Sequence, residues 1–347
     1  MPLNDFEIVN PISEKNWNET VLESVGATVF HSREWAQVLS QTYGYEPLYV
    51  CRREQGRFRL LIPVMEVASR LTGRRGVSLP FTDFCDPLFE DLGELRAAVE
   101  EVLRLGRGRG WRRVELRSGE VLSGDAKPSS VYVGHNLDLR ATEEELFSRL
   151  KGPVRTALRK AEKSGVEVDT SNSPEAVRSF YGLNCITRRE HGLPPQPWRF
   201  FENLRQWILE NNKGVIVNAV SGGRAVAGAV FLHFGEAAVF KYGASDPRYQ
   251  ALRPGNMVMW HGIRWYREIG LRAVSLGRTR RENEGLLRFK RGWGVQETQL
   301  NYFTYDLRRD RLTEDKDHIE GFHNAVFRRL PLPCLRLVGA LTYKHMG

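Results

Sequence analysis

No run of about 18 uninterrupted apolar residues occurs in this chain of 347 residues, so no membrane-crossing helix is expected. The opening MPLNDFEIVNP lacks both the cationic start and the apolar segment of a secretory signal, and the protein is expected to stay in the cytoplasm. Cysteine is scarce. Cys51, Cys85, Cys185 and Cys334 lie far apart, with no Cys-x-x-Cys pair and no His at ligand spacing, which argues against a disulfide framework and a zinc site. Four buried free thiols are the expectation, with no metal and no tightly held organic cofactor implied. Basic residues are sparse in 1–50, where Lys15 and Arg33 face Asp5, Glu7, Glu14, Glu19, Glu23, Glu34 and Glu46, and acidic residues are absent from 321–347.

What is present is a chain with room for two domains and enough apolar residues, 41% of the total, to build their cores. The formal charge of +9 is concentrated in 151–163, 270–294 and 321–347. Such asymmetry points to anionic partners: nucleotide phosphates, nucleic acid or an acidic membrane surface. The middle run, GLRAVSLGRTRRENEGLLRFKRGWG, reads as strand, charged loop and helix. Val274 and Leu276 alternate as in a half-buried strand, and turn formers at Gly277 and from Asn283 to Gly285 bracket the loop. Arg278, Arg280, Arg281, Arg288, Lys290 and Arg291 are opposed only by Glu282 and Glu284. Guanidinium forks and an ammonium point charge at the carboxyl end of a strand suit a phosphorylated ligand.

The two halves repeat one another weakly. GWRRVELRS at 110–118 and GLRAVSLGR at 270–278 share G-x-R-x-V-x-L, each after a helix-like segment (94–105 and 256–269). Each half also has an upstream hairpin signal with Gly-Arg at its turn, around Gly56-Arg57 and Gly223-Arg224. Element order, turn chemistry and motif together indicate duplication. Mixed strands, then helix, then strand predict an α+β or α/β layer with helices packed on a central sheet. Between the halves, residues 142–164 read as helix, capped by Thr142 with Glu145 in the capping-box position and broken at Gly152-Pro153. Arg155, Arg159 and Lys163 then share one helical face, either solvated or turned to a phosphate. In the tail, Pro331 and Pro333 prevent one continuous helix. Its apolar and cationic residues suit either an anionic membrane surface or docking on the second lobe.

The segments FHSREWAQVLSQTYGYEP (30–47), VRTALRKAEKSGVEV (154–168), TRREHGLP (187–194), FKYGASDPRYQALRPGNMVMW (240–260) and SLGRTRRENEGLLRFKRGWG (275–294) resemble the Fem-like aminoacyl and acyl transferases of bacterial envelope biosynthesis. The resemblance implies two tandem lobes of the GNAT acetyltransferase fold: 1–141, a connecting helix at 142–165, a second lobe at 166–320 carrying the active site, and a basic amphipathic tail at 321–347. It implies transfer of an activated acyl or aminoacyl group, from aminoacyl-tRNA or acyl-CoA as co-substrate, to an amine of a peptidoglycan-precursor or exopolysaccharide-type acceptor. The basic cluster suits a phosphorylated or lipid-linked acceptor, and the tail suits peripheral contact at an anionic inner membrane.

Acyl transfer to an amine passes through an oxyanion that needs a preorganised donor or positive charge. The resemblance assigns Lys290, with the backbone of Phe289, to the reacting carbonyl. Leu286, Phe289 and Trp293 at i, i+3 and i+7 also read as a core stripe that Lys290 flanks. Tyr242 and Asn256 are polar candidates beside the acceptor cleft, Asn256 equally serving as a helix N-cap. Arg278, Asn283 and Arg159 complete the substrate-binding set. His191, in TRREHGLP, is either a base for the amine or a residue that caps and packs. Two departures stand. The R/Q-x-x-G-x-G/A loop of acetyl-CoA enzymes has no match, since LRLGRGRG at 103–110 puts Leu103 where Arg or Gln is needed, and this disfavours coenzyme A. No sustained heptad segment supplies the helical arm of some peptidoglycan enzymes. An acetyl-CoA-dependent N-acetyltransferase of an amino sugar or peptide, and a non-catalytic binder of phosphorylated lipid or polymer, remain the alternatives.

Overall fold

The computed structural model describes residues 6–118, 127–314 and 322–347, apart from the side chains of Phe322 and His323. The expected boundary at 320/321 and most of the first-lobe continuation SGEVLSGDAKP lie outside these residues. Two compact units form, one from 6–118, 127–133, 299–314 and 343–347, the other from 134–298 and 322–342. The basic tail is thus divided between the units.

The first unit contains β1 (Glu7–Val9), α1 (Trp17–Leu22), α2 (Arg33–Tyr43), β2 (Glu46–Pro47), β3 (Tyr49–Glu54), β4 (Arg57–Ile62), β5 (Met65–Ser69), β6 (Gly73–Val77), β7 (Leu88–Phe89), α3 (Leu92–Gly108) and β8 (Arg113–Ser118). One sheet runs β1-β3-β4-β7. The other runs β2-β5-β6-β8, with the strand Gln296–Asp306 on the far edge of β8. The β3–β4 turn is the expected hairpin: Glu54 pairs with Arg57, and Gln55 and Gly56 both take the positive φ (51° and 82°) of a two-residue type I′ turn. Helix α3 is capped by Asp91, which accepts the Glu94 N–H at 2.9 Å. It buries Leu95, Ala98, Val102 and Leu103 against Val50, Leu60, Ile62, Val114 and Leu116.

The second unit holds β9 (Ser130–Asp138), through which the chain enters it, α4 (Glu143–Arg149), α5 (Gly152–Lys163), β10 (Glu167–Thr170), α6 (Pro174–Glu190), α7 (Trp198–Leu204), β11 (Gly214–Ser221), β12 (Arg224–Phe234), β13 (Ala237–Ser245), α8 (Pro254–Glu268), β14 (Ala273–Arg280) and α9 (Glu284–Arg291). The chain leaves through β15 (Gln296–Asp306), which β16 (Arg311–Thr313) joins within the first unit, and α10 (Phe322–Arg329) and α11 (Leu332–Thr342) follow. The strand order is β10-β11-β12-β13-β14-β9. Both α6 and α8 pack on β11, β12 and β13, and α5 packs on α8. A sheet covered by helices buries both faces, which is why GVIVNA in β11 and VSLG in β14 are buried without alternation. The half-buried strand expected around Val274 and Leu276 is therefore a buried one.

The duplication is visible in the backbone. Gly110 and Gly270 take positive φ (70° and 83°) after α3 and α8, and β8 and β14 then pair in parallel with β6 and β13. The β11–β12 turn at Gly222-Gly223 repeats the positive-φ geometry of Gln55-Gly56. Residues 142–164 form two helices within the second unit. Thr142 and Glu145 make the reciprocal capping box (2.9 and 3.2 Å), but the break falls at Leu150-Lys151, because Gly152 and Pro153 fit the first turn of a new helix, where no N–H partner is required. Pro331 separates α10 from α11 as expected, whereas Pro333 fits the first turn of α11. Cys51, Cys85 and Cys185 are buried and Cys334 is exposed, since α11 turns it outward. Among the described residues no helix is long and apolar enough to cross a membrane, and no cluster of three His, Cys, Asp or Glu side chains could hold a metal.

Candidate active site

The second unit opens where its parallel pair diverges. Ala237–Val239 of β13 pair with Ala273–Ser275 of β14, after which β13 runs on to Ser245 and β14 to Arg280 without pairing to each other. A bulge assists the divergence: Tyr242 faces Val230 and Phe240 faces Phe231, leaving Lys241 as the extra residue on β13. Helix α8 is the crossover between the two strands, so its N-terminus lies at their carboxyl ends, the side on which open α/β sheets bind ligands.

Each wall has identifiable supports. Tyr242 on β13 sits edge-on to Phe200 and tilted against Phe201 of α7, ring centroids 6.0 Å apart in both cases, with the Lys241 ammonium 5.2 Å above its ring. The Thr187 hydroxyl, from the TRREHGLP segment, accepts the Ser245 N–H at 2.9 Å and contacts its carbonyl at 3.1 Å, tying α6 to the end of β13. Asp246 is buried and caps the short 3-10 turn that follows, with its carboxyl held below the usual range by hydrogen bonds from Arg248.

Helix α9 corrects the expected stripe. Asn283 is its N-cap, with Oδ1 accepting the Leu286 N–H at 3.0 Å. That cap sets a phase in which Leu287 and Lys290 point inward, 6% and 5% exposed, while Leu286 and Phe289 face outward. Lys290 is therefore part of the buried face rather than a flank of it. Its Nζ donates to the Arg278 carbonyl of β14 at 2.9 Å. Burying an ammonium costs on the order of several kcal/mol unless its N–H groups are satisfied, so this bond fixes the side chain against the strand. Trp293 is fully buried behind it and meets the Phe289 ring edge to face at 6.0 Å.

The other expected residues are distributed more widely. Arg278 is half-buried and lies within β14, which extends through Arg280; the charged loop is correspondingly shorter than the turn signals imply. Asn256 is half-buried in the first turn of α8 but is not its cap: Pro254 fixes the first helical position, so Arg253, at φ 60°, takes that place. Arg159 is exposed on α5, and Arg155, on the same face, closes the end of α4 by donating to the Ser148 and Leu150 carbonyls. His191 is the C-cap of α6, followed by Gly192 at φ 67°. Burial and the Arg188 and Arg328 charges lower its pKa.

One residue that the sequence did not single out joins this group. His135 of β9 is fully buried, with Nε2 3.1 Å from Thr279 Oγ1 on β14 and Nδ1 3.6 Å from Glu297. Arg291, at the end of α9, grips Glu297 with Nε and Nη2 at 2.7 and 3.0 Å. Burial, and then the Lys290 charge, bring the His135 pKa down to about 4. A lone His in an alternating strand carries no sequence signal for such a role.

A sheet split between parallel strands, with a bulged strand on one side and a helix N-terminus at the opening, is the arrangement of a GNAT-type fold. Residues 148–291 match the family model for the acetyltransferase (GNAT) domain, and this stretch lies within the second unit. Among solved structures the chain is similar to FemX (12% identity, TM-score 0.69, covering 86% of this chain and 96% of that one). It is also similar to the C-terminal DUF2156 domain of a putative lysylphosphatidylglycerol synthetase from Agrobacterium fabrum (14%, TM-score 0.56, 84% and 90%). A third likeness is to a tandem GNAT protein from the clavulanic acid biosynthesis pathway (12%, TM-score 0.56, 87% and 98%). At these identities the likeness is one of fold: a mixed α+β chain of Fem-like, tandem GNAT architecture. No curated protein matches the chain.

Proposed function

We propose that this protein transfers an activated acyl or aminoacyl group to an amine on a cell-envelope precursor of peptidoglycan or exopolysaccharide type, at the cytoplasmic face of the membrane. The observation that carries the reading is the opening between β13 and β14 with the buried Lys290 fixed to the backbone of β14 beside it. In the reaction the acceptor nitrogen attacks the donor carbonyl carbon, the new C–N bond forms, the C–O or C–S bond to the carrier breaks, and the ammonium proton is released. Lys290, held by the Arg278 carbonyl, supplies positive charge to the oxyanion, and the Phe289 backbone lies one residue before it in the same turn. In this reading Tyr242, Asn256 and Arg278 bind the substrates, and Asn283 keeps α9 in the phase that buries Lys290. Arg159 offers a more distant charge for a phosphorylated or lipid-linked acceptor. His191 closes α6 among Arg188, Arg328 and Glu190, so proton removal falls to water or substrate in this reading. The name of one structural neighbour, lysylphosphatidylglycerol synthetase, pairs an aminoacyl group with a lipid, which supports an aminoacyl donor.

A second donor, acetyl-CoA, is favoured by a different observation. The loop entering α8 reads Q-A-L-R-P-G at 250–255, the spacing of R/Q-x-x-G-x-G/A with Arg253 in left-handed backbone where the first glycine would stand. Its helix N-terminus suits a phosphate.

Thermal shift with aminoacyl-tRNA, acetyl-CoA and coenzyme A identifies the donor, because a ligand bound only by the folded state raises its melting temperature. Lys290→Met is expected to keep the donor shift while lowering turnover by about a hundredfold or more. Absence of a shift and of transfer with every donor overturns the enzymatic reading.

A further inference from the structure

We propose that the second unit docks on an anionic phospholipid bilayer through the face formed by α6, α7 and α11, with a pocket lined by Arg178, Tyr181, Trp198 and Arg336 receiving a lipid phosphate. The inference is independent of the reaction assigned above.

Helix α11 has two faces with different tasks. Leu335 is fully buried and Gly339 lies so close to the Pro195 carbonyl oxygen that a Cβ there would collide with it, so this face is committed to the unit. The opposite face leaves Leu337 and Leu341 62% and 61% exposed, and Val326 of α10 is 41% exposed. Leu337 and Leu341, one turn apart on the solvent side of α11, suit a non-aqueous partner.

Charge selects which partner. The described residues of 322–347 contain no acid, and Arg328, Arg329 and Arg336 are exposed among them. Arg178 and Arg199 add charge from α6 and α7. The acids nearby are Glu175, paired with Arg178 at 3.1 Å, Glu202 in the adjoining groove, and Glu190, whose carbonyl accepts from Arg328 Nε at 3.2 Å. Apolar side chains surrounded by cations match a surface of acyl chains beneath anionic headgroups.

The pocket, about 550 Å³, has an interfacial composition: Leu337 and Ala340 beside Tyr181 and Trp198, with Arg178 and Arg336. The half-buried Trp198 ring meets the buried Tyr181 ring at 5.1 Å, and a partly exposed Trp of this kind settles at headgroup depth. The Arg336 guanidinium lies 5.2 Å over Tyr181 and uses Nε on Cys185 Sγ at 3.4 Å. Among the described residues its Nη1 and Nη2 have no hydrogen-bond partner, which leaves the fork that matches phosphate oxygens.

Cys334, exposed on α11 while the other three thiols are buried, provides the probe position. Full-length protein carrying an environment-sensitive fluorophore there is mixed with vesicles of phosphatidylcholine alone or with phosphatidylglycerol, at low and high salt, and cosedimentation is measured on unlabelled protein in parallel. Binding and a blue-shifted emission are expected only with phosphatidylglycerol, weakened by salt. Arg336→Gln should reduce binding about fivefold. The double variant Leu337→Ser with Leu341→Ser should reduce it at least tenfold, with an unchanged circular dichroism spectrum. Equal binding to neutral vesicles, no binding to either, undiminished binding by the double-serine variant, or retention on RNA in place of vesicles overturns the proposal.

Discussion

Asn283 and Lys290 divide the work of α9: the first sets where the helix begins, the second is what that phase buries. With Oδ1 on the Leu286 N–H, Asn283 satisfies an end group that would otherwise lack a partner. Asn283→Ala is expected to cost about 1 kcal/mol in urea denaturation, with Asn283→Asp restoring most of it, because a carboxylate accepts the same bond and favours the helix dipole. An unchanged midpoint in the alanine variant would remove the cap from this account. The segment RFKRGWG at 288–294 singled out Lys290 as a candidate; its burial was not legible there. Counting i, i+3 and i+7 from Leu286 put Phe289 inside, and a cap one residue before α9 moved the inward face to Leu287 and Lys290. His135 was not legible, because its neighbours Thr279, Lys290 and Glu297 are remote in sequence.

At the scale of elements, hairpins and caps follow from local chemistry, whereas strand length and helix docking depend on partners. Gly56 and Gly223, each the second residue of a two-residue turn, mark their hairpins directly. The end of β14 at Arg280 could not be read from turn formers, since Gly277 at φ 70° lies inside the strand. Helix α11 shows the same dependence. Its sequence left both faces open to burial, and Gly339 decides the matter by admitting the Pro195 carbonyl. Gly339→Ala is expected to destabilise the protein by about 1–3 kcal/mol through overpacking, with faster amide exchange across Leu332–Thr342 than elsewhere. Uniform exchange in the variant would mean that this helix is not held there.

For the whole molecule, each unit contains a buried neutral histidine, His31 in the first and His135 in the second, both brought down from 6.5 to about 4 chiefly by burial. In the unfolded chain they take up protons near 6.5, whereas in the folded units they do so only near 4. Stability is therefore complete above 6.5 and is lost progressively as pH falls towards 4. Denaturant midpoints measured between pH 7 and 5 should fall, and His31→Gln or His135→Gln should flatten that slope even if its midpoint is lower throughout. Slopes that do not change in either variant would assign the acid sensitivity elsewhere. Composition, turn residues and the repeated G-x-R-x-V-x-L pointed by themselves to an α+β or α/β chain duplicated around a strand–helix–strand core, because these signals are local or periodic. Tertiary structure alone decided that 343–347 join the first unit, that β13 and β14 part after three paired positions, and that Lys290 faces the strand. Those outcomes depend on strand partners, helix phase and close backbone approach, which arise only when distant segments pack together.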